Sequence, residues 1–99
     1  MKIKPIQDKI INRDYRISDH AVKRMIKWSI DRAEIEETVL AGETIEEYPD
    51  DKYSPSCLIY GKTDTGRDLH VQLSLPSSVV IITVYDPDPE EWINCKIRR

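Results

Sequence analysis

The stretch RDLHVQLSLPSSVVIITVY, residues 67–85, decides how the chain folds. Its first half alternates throughout: Leu69, Val71, Leu73 and Leu75 fall on one side of an extended backbone, with Asp68, His70, Gln72 and Ser74 on the other. A period of two marks a strand with one face buried. The second half, VVIITVY (79–85), is apolar at nearly every position, as an interior strand covered on both faces should be. Pro76 and Ser77 separate the halves, so the segment predicts an antiparallel hairpin. Thr83 and Tyr85 are the polar members of the second strand, which assigns positions 80, 82 and 84 to the core face. A two-residue turn then pairs Leu69 with Val84, Val71 with Ile82 and Leu73 with Val80, and sets His70 opposite Thr83. His70, Gln72, Thr83 and Tyr85 share the outer, wet face.

Further strands precede this hairpin. SCLIYG (56–61) leads into the loop KTDTG, and TIEEY (44–48) ends at Pro49 and two aspartates. Upstream the period lengthens to that of helices. Ser18 is a good N-cap for a helix that buries Ala21, Val22, Met25 and Ile26, while Asp19, His20, Lys23, Arg24 and Lys27 face out. After a break at Trp28-Ser29-Ile30, Asp31 and Glu34 form a capping box, with Ile30 set to staple onto Ile35. Ile35, Val39 and Leu40 give that helix its apolar face, and Gly42 supplies a left-handed stop. Residues 1–16 predict an arm or a short helix. In DPDPEEW, Asp88 caps a short terminal turn that packs Trp92 inward. The expectation is one α+β domain, 1–99, with two helices on one face of a four-stranded antiparallel sheet and a short C-terminal helical turn.

Composition narrows the function. No apolar run reaches the roughly 18–20 residues of a membrane span, and the N-terminus lacks a signal peptide's apolar centre, so a soluble, cytoplasmic protein is expected. Cys57 and Cys95 are far apart and predict neither disulfide nor zinc site. The two histidines show no metal-ligand spacing, and Gly42, Gly61 and Gly66 make no phosphate loop, so neither metal nor cofactor is expected. The net charge of −3 is unevenly spread: residues 1–32 carry +5, residues 33–55 carry −7, and the rest carries −1. Such blocks are most often solvated helix faces, but they also suit one phosphate-facing and one partner-facing surface. A lone histidine on a strand's wet face is, by itself, most often plain surface.

The motifs SDHAVKRM, IEEYPDD, YSPSCLIYG, GRDLHVQLSL and IITVYDPDPEEW, with a basic end, run in order from Ser18 to Arg99 and resemble the family known as domain of unknown function 4258. The resemblance implies the RelE-like superfamily of toxin ribonucleases, a helical layer on a four-stranded antiparallel sheet, and a small cognate antitoxin of zinc-finger/helix-turn-helix type as partner. Carried onto this chain, its His-Ala-x-x-Arg-Met motif falls on His20, Ala21, Arg24 and Met25, its later histidine on His70, and its Thr-x-Tyr pair on Thr83 and Tyr85. Trp28 departs from the pattern, which has a further arginine there. The implied activity is metal-independent endoribonuclease chemistry, in which the RNA supplies its own 2′-hydroxyl nucleophile. His70 and His20 would share acid and base duties, since an unperturbed imidazole titrates near pH 6.5. Arg24 or Arg67 would clamp phosphate, and Tyr85 would donate a proton or stack a base. Thr83, Gln72, Lys23 and Lys27 complete the expected RNA contacts. The rival expectation is a non-catalytic module that docks a basic partner through the acidic segment 34–51.

Overall fold

A computed structural model describes residues 2–52 and 54–99; Met1 and Tyr53, the first residue of the YSPSCLIYG motif, lie outside them. The chain opens with α1 (Lys4–Ile11), which buries Ile6 and Ile10 one turn apart. β1 (Tyr15–Ile17) follows, then α2 (Asp19–Trp28) and α3 (Arg32–Ala41). The strands β2 (Glu43–Tyr48), β3 (Ser56–Lys62), β4 (Asp68–Ser74) and β5 (Val79–Tyr85) come next, and β6 (Trp92–Ile93) with β7 (Ile97–Arg98) closes the chain.

Local chemistry sets the helix ends largely as the sequence predicts. Ser18 Oγ accepts the Ala21 N–H at 3.0 Å. Asp31 and Glu34 form both arms of the capping box, at 2.8 and 3.1 Å. Ser29 takes the left-handed conformation, φ 53°, that ends α2. Gly42 differs from expectation: its backbone is extended. Glycine is needed there for space, because a Cβ would lie 2.4 Å from the Thr38 carbonyl oxygen and 2.5 Å from that of Tyr60. The glycine thus lets α3 sit close on β3.

The sheet is five-stranded and mixed, in the order β1-β5-β4-β3-β2. β1 runs parallel to β5, pairing Tyr15 with Val79 and Ile17 with Ile81, while the other pairs are antiparallel. The expected two helices and four antiparallel strands are therefore corrected to three helices, a mixed five-stranded sheet and a separate two-stranded ribbon. Residues 1–16, expected as an arm or a short helix, form the short helix α1 and lead into an edge strand. β1 is only three residues long, and its pairing is dictated by β5 rather than by its own periodicity.

Register in the decisive hairpin also differs. His70 pairs with Tyr85, Val71 with Val84 and Gln72 with Thr83, and a bulge then brings Leu73 opposite Ile81. The bulge sets one extra residue against β4. The core face of β5 is consequently Val79, Ile81 and Val84, rather than 80, 82 and 84. These join Ala21, Ile35, Val39, Ile59, Leu69, Val71 and Leu73 in the core beneath the helices. Val22 (42% exposed), Ile26 (76%) and Leu40 lie outside it, although helical periodicity assigns them inward. Met25 is only partly buried.

The outer face is not free. After a turn in which the Glu91 and Trp92 N–H groups donate to the Asp88 carbonyl, the β6–β7 ribbon folds back over it. Trp92 is buried, as expected, and Arg98 reaches Glu46 of β2 at 2.9 Å.

Candidate functional site

Two walls make the candidate site. One is the exposed side of α2, where His20, Arg24 and Trp28 recur one turn apart. The other is the end of β5, with Thr83 and Tyr85 on the outer face. Between them lies a cleft of about 500 Å³, closed at the rim by Asp86, Asp88 and Glu91. Ser18 joins the walls: its Oγ, which caps α2, also donates to the Ile82 carbonyl at 3.0 Å. The Arg24 Nε lies 3.5 Å from His20 Nε2, a long contact in which the imidazole accepts.

Four of the expected residues, His20, Arg24, Thr83 and Tyr85, thus meet in one place. His70 does not join them at the surface. It shares the outer face with Thr83 and Tyr85 as predicted, but the ribbon covers it completely, leaving 0% exposed. Its Nε2 lies 2.6 Å from the Cys95 carbonyl oxygen and its Nδ1 lies 3.2 Å from the Tyr85 hydroxyl. Trp92 sets its ring edge-on at 4.5 Å. Burial lowers the imidazole pKa against the partial support of the Cys95 carbonyl and Glu46. An enclosed side chain cannot touch a phosphate, so the wet-face position expected for His70 is corrected to an interior one. Tyr85, half-buried, has its phenol pKa raised by burial.

Arg67 is likewise committed elsewhere. It donates to Asp86 through Nε and Nη2 at 3.1 and 3.2 Å, to the Ser29 carbonyl at 2.9 Å and to the Trp28 carbonyl at 2.5 Å. It closes the C-terminal end of α2, whose last carbonyls need donors. Gln72 donates to Ser56 Oγ at 3.2 Å and lies away from the cleft. Lys23 and Lys27 are exposed on α2 but do not line it; the Lys27 ammonium sits 5.6 Å from the Trp28 ring centroid.

Sequence reasoning missed the carboxylates of the rim. DPDPEEW reads locally as a cap and turn, and Asp88 does accept the Glu90 N–H at 2.9 Å, but nothing in the local pattern says that this turn faces α2. Trp28 enters the cleft as a wall, and its buried indole N–H has no acceptor among the described residues. Also among the described residues, no group of three or more His, Cys, Asp or Glu side chains could hold a metal ion. No described helix is long and apolar enough to cross a membrane.

Fold and cleft together define an α+β protein that gathers His20, Arg24, Thr83 and Tyr85 between helix α2 and strand β5. The model of the family described as Domain of unknown function (DUF4258) matches residues 17–86, and the chain belongs to that family. The matched span holds His20, Arg24, His70, Thr83 and Tyr85, and stops short of the ribbon that buries His70. No curated protein and no solved structure matches the chain.

Proposed function

We propose that the α2–β5 cleft is the active site of a metal-independent endoribonuclease, the toxin of a toxin–antitoxin pair. The observation that carries this reading is the meeting of His20, Arg24, Thr83 and Tyr85 at one cleft, from two elements distant in sequence. Cleavage through the 2′-hydroxyl needs a base, an acid and a cation at one phosphate, and the protein brings no nucleophile of its own. Arg24 is the clamp for charge developing on phosphate, His20 the accessible proton-transfer group, and Thr83 a hydrogen-bond donor to a phosphate oxygen. Asp86 is offset by Arg67 at 3.0 Å, whereas Asp88 and Glu91 stay at the rim and repel a polyanion. The cleft therefore suits one phosphate held at Arg24 better than a length of backbone. A cognate antitoxin of zinc-finger/helix-turn-helix type would belong to the same proposal.

The docking alternative fares less well on the acidic segment. Glu34 serves the capping box and faces Arg67, and Glu36 accepts from Tyr15 and faces Arg13 and Arg32. Glu37 accepts the Asp64 N–H, Glu43 meets Lys96, and Glu46 meets Arg98. Much of the −7 charge is spent within the fold.

The test is incubation of the purified protein with single-stranded RNA, followed by analysis of product ends. Fragments ending in 2′,3′-cyclic phosphate, formed by the wild type with chelator present and lost in His20→Ala and Arg24→Ala, are the expected result. Intact RNA with the wild type, or unchanged cleavage by both variants, would reject the reading.

A further inference from the structure

Tyr85 connects the open cleft to the enclosed His70, and the direction of that hydrogen bond governs what the cleft can hold. A carbonyl oxygen only accepts, so the His70 Nε2 facing the Cys95 carbonyl at 2.6 Å carries the hydrogen. The other nitrogen, 3.2 Å from the Tyr85 hydroxyl, is then a lone pair in the neutral ring or a second N–H in the cation. The surroundings choose between them. Tyr60 of β3, Tyr85 of β5 and Trp92 of β6 present ring edges or faces with centroids 6.0, 5.3 and 4.5 Å away. Glu46 of β2 and Asp68 of β4 favour the cation, Arg98 of β7 opposes it, and Glu46 is itself paired with Arg98. Desolvation outweighs the Cys95 carbonyl and the two carboxylates, so the neutral ring prevails. The phenol then donates to Nδ1, and only the lone pairs of its oxygen remain for the cleft.

We propose that Tyr85 meets the cleft's ligand as a hydrogen-bond acceptor, with His70 as the positioning residue that draws the phenol proton inward, so that the site selects a ribose 2′-hydroxyl. The proposal rests on the ribonuclease reading above and deepens it, since a 2′-hydroxyl donor separates RNA from DNA. The proton balance of cleavage follows. The 2′-hydroxyl, held by its hydrogen bond to the Tyr85 oxygen, gives its proton to the His20 imidazole as the 2′-oxygen bonds to phosphorus. The bond from phosphorus to the 5′-oxygen breaks, and that oxygen takes the proton from His20, so the imidazole ends as it began and His70 stays neutral throughout.

Nitrogen-15 NMR of the wild-type protein tests the first half without any RNA. At pH 7 the His70 ring is expected to be neutral with its hydrogen on Nε2; the Nδ1–H tautomer or a cation would overturn the proposal. Binding of uridine 3′-monophosphate against its 2′-deoxy counterpart tests the second half. The ribose form is expected to bind about 5–10-fold tighter, the size of one hydrogen bond. Tyr85→Phe and His70→Phe should each bring the ratio of the two affinities to about one; a ratio kept at its wild-type value in His70→Phe would overturn its positioning role. Equal affinities in the wild type would overturn hydroxyl selection. Binding of neither nucleotide would count against the ribonuclease reading and hydroxyl selection together, whereas the NMR result stands on its own.

Discussion

His20 and His70, the two histidines of the chain, lie on either side of Tyr85 in opposite conditions. His20 stands on an exposed helix face, loosely held by one long contact to Arg24. His70 is locked by two hydrogen bonds beneath the β6–β7 ribbon and three aromatic rings. One imidazole is open to a ligand; the other is part of the interior. The difference teaches that residue type and strand face do not settle a role. What covers the face does.

The largest effect expected is on activity. His20→Ala should lower RNA cleavage by about 10²–10⁴-fold, as loss of a general acid–base group does, with stability within about 0.5 kcal/mol of wild type. Cleavage rate and chemical denaturation, measured together, break the comparison if His20→Ala unfolds the protein. His70→Ala should reverse the pattern in stability, costing about 3 kcal/mol through an emptied interior and orphaned partners. A denaturation midpoint unmoved by His70→Ala would show that the ribbon does not hold the ring as described. Arg67→Ala should cost about 1–3 kcal/mol, because the Trp28 and Ser29 carbonyls lose charged donors, and lysine should restore little since it lacks the planar fork. Hydrogen exchange at the end of α2 would locate that loss. At the rim, Glu91→Gln should tighten RNA binding by about 2–5-fold at low salt, with the gain fading as salt screens it.

The smallest effect is on the pH dependence of stability. His70 has a lowered pKa in the folded state, so below about pH 6.5 the unfolded chain binds a proton that the folded chain refuses. Its contribution is complete above that value and is lost as the pH falls toward the folded pKa. Denaturation at pH 7.5 and 5.5 should therefore show a smaller acid-side loss in His70→Gln than in the wild type. A parallel loss in both proteins would contradict a neutral buried ring.

Much of this was legible in residues 67–85. Strict alternation located β4 and its faces, and it brought His70, Gln72, Thr83 and Tyr85 to one side. Caps at Ser18 and Asp31 set both helix starts. The bulge in the middle of β5 was not legible, because every residue from Val79 to Ile82 is apolar and no polar position marks the slip. The exposure of Val22 and Ile26 escaped for a related reason: helical period gives a stripe, but α2 presents only its Ala21 side fully to the core. The ribbon of two-residue strands carries too little period to announce itself, and so the covering of His70 was invisible. The cleft's helix wall was readable from SDHAVKRM; its approach to β5 came only with the three-dimensional arrangement.

Ser18 carries a consequence beyond capping α2. Its hydroxyl accepts a hydrogen bond from the first turn of α2 and donates one to the carbonyl next to Thr83, so a single oxygen spans both jaws of the cleft. His20 is two residues from that rivet and Thr83 is one from the carbonyl it grips. The gap between imidazole and threonine is thereby gauged by backbone geometry instead of by long, pliable side chains. Alanine in place of this serine would leave every reactive group intact yet let the jaws drift, turning a fixed aperture into a loose one.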